Sequence, residues 1–245
     1  MRKTINILDI PVDNVTMTEA VERFKVLLSE PGVHTVYTPN AEIMMAAQRE
    51  PDLKEILSNA DMLLPDGAGV VLASKIIRYP LKERVAGYDF TLNCFNLCSN
   101  MNISFFFFGG KPGVAEEAAN KVKKDNPNIN IVGIRDGYFS DDEESKIIDL
   151  INSANPDVLL VALGAPRQEK WIHKNKHRLN AKICIGVGGS FDVLAGKAQR
   201  APEFFQKNGL EWLYRLYKEP WRYKRMMDLP RFILLVTSKK LGLKR

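Results

Sequence analysis

Ile183-Cys184-Ile185-Gly186-Val187-Gly188-Gly189-Ser190-Phe191-Asp192 passes from a short apolar run through a glycine turn into a segment that opens like a helix. A run this short, bounded by glycine, predicts a strand buried on both faces. Similar runs lie upstream at residues 33–37, 62–64, 103–108, 129–134 and 158–163, with helical patterns between them. Start signals open those helices: Pro51 ahead of Asp52-Leu53-Lys54-Glu55, Pro112 ahead of Gly113-Val114-Ala115-Glu116, and Ser140 with Glu143 as a capping box. Strand alternating with helix predicts a Rossmann-like α/β fold, a mainly parallel sheet with helices on both faces.

In open sheets of this kind ligands gather beyond the carboxyl ends of the strands. The segments that follow the runs are polar or glycine-rich: Thr38-Pro39-Asn40-Ala41-Glu42, Pro65-Asp66-Gly67-Ala68-Gly69, Gly109-Gly110-Lys111, Arg135-Asp136-Gly137-Tyr138, Gly164-Ala165-Pro166-Arg167-Gln168-Glu169, and the glycine turn at residues 186–189. Asp66 has two readings, a general base toward a hydroxyl or a cap for the helix expected near Gly69. Thr38 and Asn40 face the same choice. The bare amides of Gly188 and Gly189 suit a diphosphate, or the segment is simply a tight strand-to-helix turn. It lacks the third glycine and the following acid of a dinucleotide fingerprint, which argues against a nicotinamide-dependent oxidoreductase.

Charge divides the chain unevenly. Residues 209–245 hold ten Lys and Arg against three acids, whereas residues 1–208 hold 25 against 26. The composition shift at Lys207-Asn208-Gly209 marks a boundary between a near-neutral α/β body, residues 1–208, and a basic amphipathic appendage, residues 209–245. Pro220 and Pro230 divide the appendage into about three short helices, each proline expected as a first helical residue. Its aromatic and aliphatic side chains are too clustered for a simple phosphate-tracking surface, so nucleic acid is not the expected partner.

Nothing points to a metal. His173 and His177 stand four apart without an H-E-x-x-H element and read as a solvated basic face, and Asp141-Asp142-Glu143-Glu144 reads as the acidic start of a helix. Cys94, Cys98 and Cys184 read as reduced, buried thiols. The amino-terminal residues show no export signal and no run approaches the roughly 18 apolar residues of a spanning helix.

Taken in order, Thr38-Pro39-Asn40-Ala41-Glu42, Leu64-Pro65-Asp66-Gly67-Ala68-Gly69, Glu83-Arg84-Val85-Ala86-Gly87-Tyr88-Asp89, Leu163-Gly164-Ala165-Pro166-Arg167-Gln168-Glu169-Lys170-Trp171 and residues 186–192 resemble the WecG/TagA/CpsF family of bacterial glycosyltransferases, across about residues 5–235. The resemblance implies transfer of N-acetylmannosamine from its UDP derivative to the 4-hydroxyl of N-acetylglucosamine on undecaprenyl diphosphate, with inversion. A related donor, carrying N-acetylmannosaminuronic acid or glucose, is the alternative. It further implies that Asp66 is the general base, that Thr38, Asn40 and Gln168 are active-site polar residues, that Arg84 lies near the substrates, and that Arg215, Arg222 and Arg225 enter from the appendage. Ala86 departs from the pattern, standing where many members carry a hydroxyl residue.

The residues suit that chemistry on their own terms. Asp66 would take the acceptor proton, and Arg222 and Arg225 would neutralise the departing UDP without a metal or cofactor. Gly188 and Gly189 would hold the diphosphate or uridine, and Asp192 would accept from uracil or ribose. The implied partners are a UDP-sugar donor, a polyprenyl-diphosphate acceptor and an anionic membrane surface, which puts the protein in the cytoplasm at the inner face of the membrane. Self-association into a homo-oligomer is compatible with the sequence. Trp212, Trp221 and residues 232–236 are expected to insert into lipid, with Lys239, Lys240, Lys244 and Arg245 on the headgroups, each basic residue contributing up to about 1 kcal/mol.

Overall fold

The computed structural model describes residues 2–220 and 223–243, apart from the Lys224 side chain. A hairpin of β1 (Thr4–Ile7) and β2 (Ile10–Asp13) comes first, closed by Leu8 and Asp9 at φ 53° and 64°. Both turn residues adopt the positive φ that a two-residue hairpin requires, yet neither is Gly or Asn, so no sequence signal announced it. Then follow α1 (Met17–Leu27), β3 (His34–Tyr37), α2 (Ala41–Arg49), α3 (Pro51–Ser58), β4 (Met62–Leu63), α4 (Ala68–Ile76) and α5 (Gly87–Cys98). The second half runs β5 (Ser104–Gly109), α6 (Val114–Asp125), β6 (Asn130–Arg135), α7 (Glu144–Ala154), β7 (Val158–Ala162), α8 (Arg167–Asn175), β8 (Ile183–Gly186), α9 (Ser190–Leu194) and α10 (Glu203–Lys207). The expected capping box forms at Ser140 and Glu143, ahead of a short 3₁₀ turn that leads into α7.

The main sheet is wholly parallel, in the order β4-β3-β8-β7-β5-β6. β5 shows why it needs helices on both faces. Its four phenylalanines are all buried, and alternation sends Phe105 and Phe107 to one face and Phe106 and Phe108 to the other. On the first face they meet α5 and α9, with Phe107 stacked on Phe191 at 4.9 Å and on Phe95 at 5.8 Å. On the second, Phe108 packs against Trp171 of α8 at 4.8 Å.

The chain beyond Lys207 forms α11 (Glu211–Lys218), α12 (Tyr223–Met226) and α13 (Asp228–Lys240). Pro230 is the third residue of α13, not the first as expected; any place in the first turn suffices, because N–H groups there have no intrahelical partner. Pro220 lies between α11 and α12.

α13 lies against α2 and α4. Gly69 of α4 permits it: a Cβ there would stand 2.6 Å from Leu229 Cδ1. Phe232 and Val236 are consequently buried in the same apolar core as the hairpin and α2, so they are not free to enter lipid. Leu234, 69% exposed, points outward from the same helix. Lys239 donates to both carboxylate oxygens of Asp9 at 2.7 Å in an exposed ion pair with the hairpin turn, with which a headgroup phosphate would compete. Trp221, Lys244 and Arg245 lie outside the described residues.

Candidate active site

The polar loops converge because neighbouring strands carry them. Across the order β4, β3, β8, β7, the carboxyl ends lead to Asp66, then Thr38 and Asn40, then Gly188, Gly189 and Asp192, then Gln168.

Asp66 does not cap α4. Gly67, at φ 81°, is the cap residue and makes no side-chain bond, turning the backbone before the Asp66 carboxylate reaches the helix amides. Instead Oδ2 accepts from the N–H of Gly87, the first residue of α5, at 3.2 Å. Burial raises the carboxyl's pKa. The Gly87 amide and the charges of Arg84 and Arg215 oppose that rise, and Glu211 adds to it. The result is a carboxylate held in place by one neutral donor and of raised proton affinity, the property a general base needs.

Asn40 takes the capping role, its Oδ1 accepting from Ile43 N–H at 3.1 Å at the start of α2. It nonetheless stands beside the Asp66 loop, since a Cβ on Gly67 would lie 3.5 Å from Asn40 Cβ. Thr38 lies against Gly87, where a Cβ would sit 2.7 Å from the threonine Oγ1. The structure therefore brings Thr38, Asn40, Asp66 and the Gly87 amide into one small region.

Gln168 is buried and braces the glycine turn. Its Oε1 accepts from Gly188 N–H at 3.0 Å while its Nε2 donates to Glu169 Oε1 at 2.9 Å. Glu169 is itself buried, and its pKa is raised by that burial. One of the two amides expected to receive phosphate is thus committed to Gln168. The turn still opens outward: Gly188 has φ 52° and nothing within 4 Å of a Cβ placed there. Asp192 flanks it, its Oδ2 lying 3.9 Å from a Cβ on Gly189.

Arg84 is met from the appendage. Its Nη1 donates to Glu211 Oε2 at 2.6 Å, and Arg200 Nε lies 3.6 Å from the other oxygen of the same carboxylate. Arg200 also forks onto Asp89 at 2.5 and 2.6 Å and lies over the Tyr88 ring at 5.1 Å. Sequence reasoning assigned nothing to Arg200, Asp89 or Glu211. The signal was an acid, one of three, placed early in a segment with ten bases.

Of the appendage arginines, Arg215 is exposed on α11. Arg225 Nε donates to Glu42 Oε2 at 3.0 Å, so an incoming phosphate must compete with that carboxylate. Beside it Arg49 forks onto Asp228 at 3.1 and 2.9 Å. These residues and Pro166 edge a pocket of about 230 Å³. Arg222 lies outside the described residues. A larger open cavity of about 710 Å³, between residues 28–33 and Lys182, lies at the amino end of the sheet and is remote from these loops. His173 and His177 are exposed, and no group of three or more His, Cys, Asp or Glu among the described residues is arranged to hold a metal.

A parallel α/β sheet whose carboxyl edge gathers a half-buried carboxylate, a glycine turn and arginines from the appendage has the layout of an enzyme that binds its ligands beyond the strand ends. Sequence similarity supplies the rest. Over residues 5–245 the chain matches the glycosyl transferase WecG/TagA/CpsF family, and it belongs to that family. It is 42% identical over 201 residues to a protein of Bacillus spizizenii, covering 82% of this chain and 77% of that one. A Bacillus subtilis protein is 36% identical over 239 residues, covering 97% and 93%, and a Staphylococcus aureus protein 30% identical over 243 residues, covering 98% and 95%. All three carry the name N-acetylglucosaminyldiphosphoundecaprenol N-acetyl-beta-D-mannosaminyltransferase.

Proposed function

We propose that this chain transfers N-acetylmannosamine from UDP-N-acetylmannosamine to the 4-hydroxyl of N-acetylglucosaminyl-diphospho-undecaprenol, with inversion, giving the lipid disaccharide used in wall teichoic acid synthesis. The observation that carries the reading is Asp66: a half-buried carboxylate of raised proton affinity, held by the Gly87 amide, with Thr38 beside that amide. Asp66 takes the proton as the acceptor oxygen bonds to the anomeric carbon, and the bond from that carbon to UDP breaks on the opposite face. Arg215 and Arg225 receive the charge that builds on UDP, with Arg222 as a third candidate. The glycine turn and Asp192 are assigned to the nucleotide side, and Arg84 to the substrate diphosphates.

On this reading residues 1–208 form the catalytic body, and residues 209–245 both complete the site and bring it to an anionic membrane surface. No helix among the described residues is long and apolar enough to cross a membrane. The exposed Tyr217, Leu213 and Leu234, interspersed with Arg215, Lys218 and Arg231, support contact with the surface instead. The direct test is to incubate purified protein with UDP-N-acetylmannosamine and a short-chain lipid-linked N-acetylglucosamine and to follow the disaccharide by mass spectrometry. Turnover of UDP-glucose or a UDP-uronic acid in preference to that donor would overturn the assignment.

A further inference from the structure

The path of the chain over the Asp66 loop is fixed at two points. Gly209, at φ 70°, passes so close to Ala68 that a Cβ on it would stand 2.8 Å from the alanine Cβ. Two residues later Glu211 offers one carboxylate to two guanidinium groups of the body, Arg84 at 2.6 Å and Arg200 at 3.6 Å. Arg200 is in turn held by its fork onto Asp89, a contact that involves no residue of α11. Only about a fifth of the Glu211 side chain is exposed, 19%, which shields the pair from the screening that makes most surface ion pairs weak.

Glu211 and Arg215 are four residues apart on α11 and so share one helix face. Holding Glu211 against the body therefore turns Arg215 the same way, and its charge is felt at Asp66. We propose that Glu211 is a positioning residue: by clasping Arg84 and Arg200 it sets α11 over the Asp66 loop and delivers Arg215 to the substrate phosphates. This rests on the glycosyltransferase reading given above and names the contact that assembles its site. The Glu211 carboxylate touches no reacting atom; it acts through Arg215 and Arg84.

The substitution Glu211→Gln keeps the shape and removes the charge, and Glu211→Lys reverses it. Both sit on a partly exposed helix, and a melting curve that matches the parent establishes that the body is folded. Transfer to a lipid-linked acceptor is expected to fall at least tenfold for Glu211→Gln and further for Glu211→Lys, with amide exchange faster across residues 210–218 and unchanged in the sheet. Arg215→Ala alone is expected to impair transfer, and adding it to Glu211→Gln is expected to cost little more, because the glutamate acts through the arginine. Fully additive losses would overturn the proposal, as would parental transfer by Glu211→Gln. Faster exchange at residues 210–218 with undiminished transfer would also overturn it, since the contact would then be structural only. Failure of the underlying reading is distinguishable: the folded parent chain would then form no lipid disaccharide, whatever residue stands at position 211.

Discussion

Gln168 Oε1 accepts the Gly188 N–H at 3.0 Å, so the loop after β7 and the turn after β8 behave as one unit. The contact is close-fitting: a Cβ on Gly186 would meet Gln168 Nε2 at 2.8 Å. Gln168→Ala leaves the Gly188 donor without its partner and empties a buried volume, which costs about 1–3 kcal/mol. Thermal melting should register that loss, and the KM for the UDP-sugar should rise as the turn loosens. Gly186→Ala displaces only the flexible end of Gln168, so it should reproduce the KM effect with a smaller loss of stability.

Asp66 couples activity and stability with opposite signs. Its raised pKa means the folded chain holds this proton at pH values where the unfolded chain has released it. Stability from this group is present below the unfolded pKa and lost as pH rises through the folded one, so at neutral pH the ionised, partly desolvated carboxylate is a burden. Asp66→Asn should abolish transfer, retain UDP binding by calorimetry, and melt at or above the parent temperature at pH 7–8, since the amide oxygen still accepts from Gly87. For the parent enzyme, the acid limb of kcat/KM should lie above the usual carboxylate range, because the base must lose its proton to work. An acid limb at or below the ordinary aspartate value would contradict the burial argument.

All six strands of the main sheet were legible, because strands buried on both faces read as short apolar runs. The hairpin was not: Ile5, Ile7, Ile10 and Val12 are buried on one side only, and Leu8-Asp9 hides the turn behind ordinary residues. At the site, loop position after a strand singled out Asp66, Thr38, Asn40 and Gln168, yet it could not tell a cap from a ligand group. Asn40 caps and Asp66 does not, a difference set by the positive φ of Gly67. The Arg200–Asp89–Glu211 cluster joins residues up to 122 apart, as Asp89 and Glu211 are, and no local pattern encodes such a meeting. Similarly, the apolar run at residues 232–236 has the composition of a lipid-inserting surface, and only packing against α2 and α4 reveals which side chains face inward.

That packing separates two neighbours in sequence. Phe232 is fully buried and Leu234 is 69% exposed. Phe232→Ala should destabilise the protein by about 3–5 kcal/mol, the range for a buried phenylalanine, and leave a melting transition well below the parent. Leu234→Ser should leave melting within about 0.5 kcal/mol of the parent and reduce sedimentation with anionic vesicles. Were the two substitutions to exchange these effects, α13 would face the other way.

Gly209 tests whether the appendage must approach the Asp66 loop for catalysis. Its φ of 70° disfavours any side chain, and a Cβ would stand 2.8 Å from that of Ala68, a residue of α4 that has no flexible end to move aside. Gly209→Val should therefore lift the chain from the body at this point while leaving the sheet and its core untouched, since α13 is anchored separately through Leu229 and Phe232. The expected outcome is a melting temperature close to the parent, transfer reduced by at least tenfold, and faster amide exchange across α11. Gly209→Asp serves as a control for backbone strain alone, because aspartate tolerates positive φ better than valine but brings the same Cβ. If the close approach to Ala68 is what matters, both variants lose transfer to a similar degree; if strain dominates, aspartate recovers much of it.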